Sequence, residues 1–227
     1  MDGMSSPAER YAAARRRSAH PTLADFTSGL GFSLDPFQVE ACEALDEGSG
    51  VLVCAPTGAG KTVVGEFAVH KALAEGRKAF YTTPIKALSN QKYNDLVERY
   101  GSGKVGLLTG DNAVNGDAPV VVMTTEVLRN MLYAESPAIN GLGYVVMDEV
   151  HYLADRFRGA VWEEVIIHLP ASVTLVSLSA TVCWSARPPG RARRWSASSP
   201  CTWRWPRAAS ASTPRRSRLC PTRNTMT

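Results

Sequence analysis

No stretch of the sequence approaches the ~20 consecutive apolar residues that a membrane-spanning helix needs, so no membrane partner is expected. The basic run Arg15-Arg16-Arg17 is followed by Ser18-Ala19-His20-Pro21 rather than an apolar segment, so a secretory leader is not expected here. Five cysteines form no CxxC pair and no metal-ligand spacing, as suits a reducing, cytoplasmic setting. No repeat of fixed period is present. One more absence is local. Residues 183–227 contain no Asp, Glu or Lys, and no Val, Ile, Phe or Tyr, yet hold 10 Arg and 4 of the 5 Trp. A packed core cannot be built from that composition. It also means that the overall charge of +4 hides a net charge of −6 over residues 1–182.

What is present begins with Val51-Leu52-Val53-Cys54-Ala55-Pro56-Thr57-Gly58-Ala59-Gly60-Lys61-Thr62. An apolar run of strand length leads into a Gly-rich turn, then Lys-Thr and a helical segment. That order is the setting of a phosphate-binding loop. Gly58 and Gly60 let the backbone turn tightly, so that its N–H groups meet phosphate oxygens at a helix N-terminus. Lys61 supplies a charge for the β/γ-phosphates, and the Thr62 hydroxyl is suited to Mg²⁺. The alternative is a Gly-rich turn with an incidental lysine.

Along the chain, Asp35 and Pro36 are good residues to open a helix, with Gln38 one turn in, where an amide offers adenine both a donor and an acceptor or is a plain surface residue. Strands are expected over 51–54, 77–83, 105–108, 120–123, 144–147 and 173–178, separated by helical segments. Leu88, Tyr93, Leu96, Val97 and Tyr100 mark the apolar face of one helix, and Trp162, Ile166 and Ile167 that of another. The alternation points to an α/β fold with a mostly parallel, doubly wound sheet. In such sheets ligands bind at the carboxyl ends of the strands. Asp148-Glu149 follows directly on the strand Tyr144–Met147. There Asp148 is placed to anchor Mg²⁺ and Glu149 to activate a water, although an acidic pair also suits a helix N-terminus.

Taken together, Ala55–Thr62, Asp148-Glu149-Val150-His151 and Ser179-Ala180-Thr181 resemble the superfamily 2 DExH-box helicases. Phe32–Gln38, Thr83–Gln91, Leu108–Asp111, Met123–Glu126 and Arg158–Glu164 are more similar to the superkiller-type RNA helicases. The resemblance covers roughly residues 25–182. It implies a RecA-like parallel sheet with helices on both faces, preceded by an extension over residues 1–24. It implies ATP and Mg²⁺ as cofactors, with Phe32 and Gln38 on adenine and Ala55, Pro56, Thr57, Gly58, Ala59, Gly60, Lys61 and Thr62 around the triphosphate. Asp148 and Thr62 would hold Mg²⁺, while Glu149, with Lys61 and Asp148, would carry the chemistry. His151, Ser179 and Thr181 would couple nucleotide state to strand separation. Thr83, Pro84, Lys86, Thr124, Thr125 and Glu126 would line the path of a single nucleic acid strand, RNA being favoured over DNA.

Such helicases use a second RecA-like domain that brings an arginine finger, and residues 183–227 do not resemble one. A frameshift product, disordered in isolation, is expected for that tail; an arginine-rich RNA-binding tail is the alternative. On this reading the chain is a first motor domain, impaired alone. A DNA-directed relative and a non-enzymatic nucleotide-binding module are the competing functions.

Overall fold

The strands are apolar on both faces because both faces are covered. In β2 (Lys78–Thr83), β3 (Val105–Leu108), β5 (Val120–Thr124), β6 (Leu142–Met147) and β7 (Thr174–Ser179), successive residues alternate between two separate cores, while β1 (Gly50–Cys54) sends Val51 and Val53 into the first. Tyr81, Val122 and Val146 enter one core; Phe80, Val121 and Val145 enter the other. This is the period-2 geometry of a strand buried on each side. The computed structural model describes residues 11, 14–15, 18–156 and 158–180, together with the backbone of Cys201–Trp205.

With β4 (Ala113–Val114) and β8 (Cys201–Trp205), the sheet has eight strands in the order β4-β3-β5-β2-β6-β7-β1-β8. The six central strands run parallel; β4 and β8 add antiparallel edges. The helices are α1 (Pro21–Ser28), α2 (Pro36–Asp46), α3 (Thr62–Ala74), α4 (Lys86–Tyr100), α5 (Thr125–Tyr133) and α6 (Gly159–His168). Helices α1 to α4 cover one face; α5 and α6 cover the other, with Trp162 buried in that second core. Parallel strands require such crossover helices.

The six expected strands and the helices on both faces are all present. Helix α1 runs across residue 24, with Leu23 and Phe26 buried and the Phe26 ring packed edge-on to Phe67 at 5.4 Å. Within residues 183–227, Cys201–Trp205 pairs with β1 from Gly50↔Trp205 to Cys54↔Cys201. Thr and Trp favour extended backbone, and β1 offers an edge to pair with. Two expected helix faces, by contrast, need correction. Leu88 and Ile166 are more than a third exposed and Ile167 is 73% exposed. Their helices turn Ser89, Lys92 and Leu96, and Trp162 and Val165, inward instead. Calls on 183–200 and 206–227, and most of 1–17, lie outside the described residues.

Candidate nucleotide site at the strand tips

β1 ends at Cys54 and the chain turns through the loop into α3. Gly58 and Gly60 adopt φ of +84° and +74°, a region L-residues rarely occupy. Pro56, Thr57 and Gly58 are exposed, while Lys61 is buried and donates from Nζ to the Pro56 carbonyl at 3.1 Å. The lysine thus lies folded onto the loop it serves, at the N-terminal end of α3.

Gln38 is buried, which removes the surface reading. Its Oε1 accepts the Asp35 N–H at 2.8 Å and its Nε2 donates to the Gly60 carbonyl at 2.9 Å. The side chain therefore ties the start of α2 to the phosphate loop. The same amide reaches the Ala59 carbonyl at 3.5 Å, a long contact that an adenine edge can replace while the Gln38 carbonyl keeps a lone pair. Phe32, just upstream, is 56% exposed, so its ring face is available.

Asp148 and Glu149 leave the tip of β6. The register Cys54↔Ser179 between β1 and β7, with Met147↔Ser177 between β6 and β7, puts both tips on one edge. They lie two strands apart, about 10 Å at the usual strand spacing. Ser179, buried at the end of β7 between them, accepts the Ala55 N–H through its carbonyl at 3.1 Å. Thr181 lies outside the described residues.

The Asp148 carboxylate is held from two sides. Oδ1 accepts the Glu149 N–H at 2.9 Å, and Oδ2 accepts the Tyr81 hydroxyl at 2.9 Å. Burial pushes its pKa up, partly opposed by the Tyr81 hydrogen bond. The Tyr81 hydroxyl itself is pushed well above the ordinary phenol range, first by burial and then by Asp148, so it stays a donor. Glu149 sits at φ 54°, ψ 45°, a left-handed conformation that costs a non-glycine residue roughly 1–3 kcal/mol. Its Oε2 stands 3.1 Å from Nδ1 of His151. Neither of these buried atoms has an aligned hydrogen-bond partner.

These residues fit Mg²⁺ bound together with phosphates. No group of three His, Cys, Asp or Glu that could hold a metal occurs among the described residues, and Mg²⁺ characteristically takes one or two protein oxygens plus phosphate and water. Asp148 is a carboxylate that burial makes reluctant to be charged, with a second lone pair open on each oxygen; an added cation would offset that reluctance.

The nucleic-acid candidates are built differently. The Thr83 hydroxyl lies 2.7 Å from Ser89 Oγ and donates to the Ile85 carbonyl at 3.1 Å. Thr125 donates to the Thr83 carbonyl at 3.5 Å. Thr83, Pro84, Thr124 and Thr125 are all buried, Glu126 is half-buried, and Lys86 is exposed and paired with Asp111. The threonines brace the turns at the strand tips, and Arg158 adds a 3.1 Å bond to the Pro84 carbonyl. Among these six, Lys86 alone is a cation, exposed and held by an exposed partner, Asp111.

Tyr81 and its neighbours escape a sequence reading. A tyrosine in a buried strand signals that its hydroxyl has a partner, but only the β2–β6 register names it.

The DEAD/DEAH box helicase model matches residues 35–187. The chain is 74% identical over 160 residues to "Probable helicase HelY" of Mycobacterium leprae, a match covering 70% of this chain and 17% of that protein. It is 52% identical to "Antiviral helicase SKI2" of Saccharomyces cerevisiae over 66% of this chain and 12% of the yeast protein. Among solved structures, Mycobacterium smegmatis helicase Lhr bound to ssDNA and AMP-PNP is similar, with TM-score 0.54 and 31% identity, covering 71% of this chain and 24% of that one. The chain thus spans about an eighth to a sixth of the length of the curated relatives it matches.

Proposed function

Since the chain belongs to the DEAD/DEAH box helicase family, we propose that it is the first RecA-like motor domain of a DExH-type, ATP-dependent RNA helicase. The observation that carries this reading is one sheet edge bearing both the phosphate loop at β1 and Asp148-Glu149 at β6. Lys61 swings from the Pro56 carbonyl to the β/γ-phosphates, where the α3 N-terminus adds its partial charge. Phe32 stacks on adenine and Gln38 reads its edge. Thr62 and Asp148 hold Mg²⁺, which when bound neutralises charge on the phosphate oxygens. Glu149 Oε2 accepts a proton from the attacking water. His151 stands beside Glu149 to sense that change, and Ser179 at the tip of β7 relays it, a role that the family motif also gives to Thr181.

Single-stranded nucleic acid crosses the neighbouring strand tips. Lys86 meets phosphate there, and Thr83, Pro84, Thr124, Thr125 and Glu126 shape the path. RNA is favoured because the chain resembles the ATP-dependent RNA helicases DExH15 of Arabidopsis thaliana and mtr4 of Schizosaccharomyces pombe. The ssDNA in the Lhr structure supports DNA as the second reading.

The test is calorimetric titration of the chain with ATP, with Mg²⁺ and then with EDTA, alongside anisotropy with matched single-stranded RNA and DNA. Binding of Mg·ATP that is lost in Lys61→Ala supports the nucleotide assignment. No binding at millimolar Mg·ATP by the folded chain overturns it. Tighter binding of DNA than RNA replaces the substrate assignment.

A further inference from the structure

The residue that grips Asp148 from outside its own strand is Tyr81, and it is itself locked in place. The ring is fully buried on β2. On one flank lies Gly65 of α3, where an added Cβ would come within 3.1 Å of Tyr81 Cε2 and 3.0 Å of Val146 Cγ1. Such a contact is tighter than ordinary packing allows, so glycine is what lets helix and ring approach. The Lys92 ammonium of α4 stands 5.6 Å from the ring centroid, within cation–π range. Lys92 is buried, and pairs with Glu66 Oε1 of α3 at 3.2 Å, while Glu66 Oε2 takes Arg99 at 3.1 Å. The phosphate-loop helix, the helix that follows Thr83-Pro84-Ile85 and the Asp148 carboxylate therefore meet at one phenol.

We propose that Tyr81 is a positioning residue for metal binding: its hydroxyl holds Oδ2 of Asp148 so that the carboxylate presents its open lone pairs to the magnesium of bound Mg·ATP. The inference rests on the nucleotide-site reading above and adds to it a residue that touches neither nucleotide nor metal. The logic is that of outer-shell partners in metal sites, whose loss typically costs about 10- to 100-fold in metal affinity. A phenylalanine keeps the ring, its packing on Gly65 and its contact with Lys92, and deletes the one bond to Asp148.

The experiment titrates Mg²⁺ into the 227-residue chain holding a fluorescent ATP analogue, and separately measures affinity for the analogue in EDTA. Wild type, Tyr81→Phe and Asp148→Ala are compared, with thermal melting of each. The expected result for Tyr81→Phe is an Mg²⁺ half-saturation raised about 10-fold, with metal-free nucleotide affinity unchanged and a melting temperature lowered only by the one buried hydrogen bond lost. An unchanged Mg²⁺ requirement overturns the inference. So does an equal weakening with and without metal, since that is the signature of a role in packing alone. Asp148→Ala separates the two levels. If it removes the Mg²⁺ dependence and Tyr81→Phe leaves it intact, only the positioning role fails. If Asp148→Ala itself leaves the dependence intact, the nucleotide-site reading fails with it.

Discussion

At the nucleotide end of the sheet edge, polar groups have capacity to spare. Glu149 Oε2 and His151 Nδ1 are buried 3.1 Å apart without an aligned hydrogen bond, Asp148 keeps a lone pair on each oxygen, and Gln38 keeps a carbonyl lone pair. On the next two strand tips, those of β2 and β5, Thr83 and Thr125 have their hydroxyls engaged by Ser89, Ile85 and Thr83. Both groups sit at strand tips and both read as site residues in sequence. The difference teaches that a tip residue can serve by offering free valence or by holding a loop in shape. Buried polar groups without partners are costly, so those that persist are the ones to suspect of chemistry.

The comparison can be broken most forcefully at Glu149. Glu149→Gln is expected to cut ATP turnover by about 10²- to 10⁴-fold while leaving Mg·ATP binding intact, read by phosphate release and calorimetry on the same sample. Thr83→Val tests the other end: it should cost roughly 1–3 kcal/mol of stability in urea denaturation, because Ser89 and the turn lose a buried partner. Its nucleic acid binding should keep the wild-type salt dependence. Lys86→Ala should behave oppositely, with unchanged stability and a log–log salt slope for single-strand binding reduced by about 1.

Two smaller effects sharpen the nucleotide end. Glu149→Gly relieves the left-handed backbone and should stabilise the fold by about 0.5–1 kcal/mol, net of glycine's greater chain entropy, in the same denaturation experiment. Asp148 adds a pH signature. Burial raises its folded pKa, so the native state keeps the proton to higher pH than the unfolded chain. Its contribution to stability therefore declines as pH rises from the unfolded value through the folded one, and stays low above it. Asp148→Asn removes that decline. Its advantage over wild type in metal-free buffer should grow from acid toward neutral pH in pH-resolved melting.

Much of this was readable in the chain. The apolar runs named six of the eight strands, since each is long, β-branched and bounded by turns. Two-residue β4 was too short to leave a pattern, and β8 is visible only through its pairing with β1. The phosphate loop and Asp148-Glu149 stood out because their chemistry depends on residue types in order along the backbone. Tyr81 did not, because its role depends on which strand lies beside β2. Helical spacing gave α4 and α6 but not the stripe each turns inward, hence the exposed Leu88, Ile166 and Ile167 and the buried Lys92. Gln38 showed itself as an adenine candidate; its bond to Gly60 depends on α2 docking against the loop.

The central claim is that Lys61 and Asp148, 87 positions apart in the sequence, act on one magnesium-bound triphosphate. A double-mutant cycle on Mg·ATP affinity, using Lys61→Ala, Asp148→Ala and the pair, tests it directly. Two groups on one ligand should be non-additive, with a coupling of about 0.5–3 kcal/mol. Free energies that add to within about 0.3–0.5 kcal/mol would mean that the two residues serve separate sites.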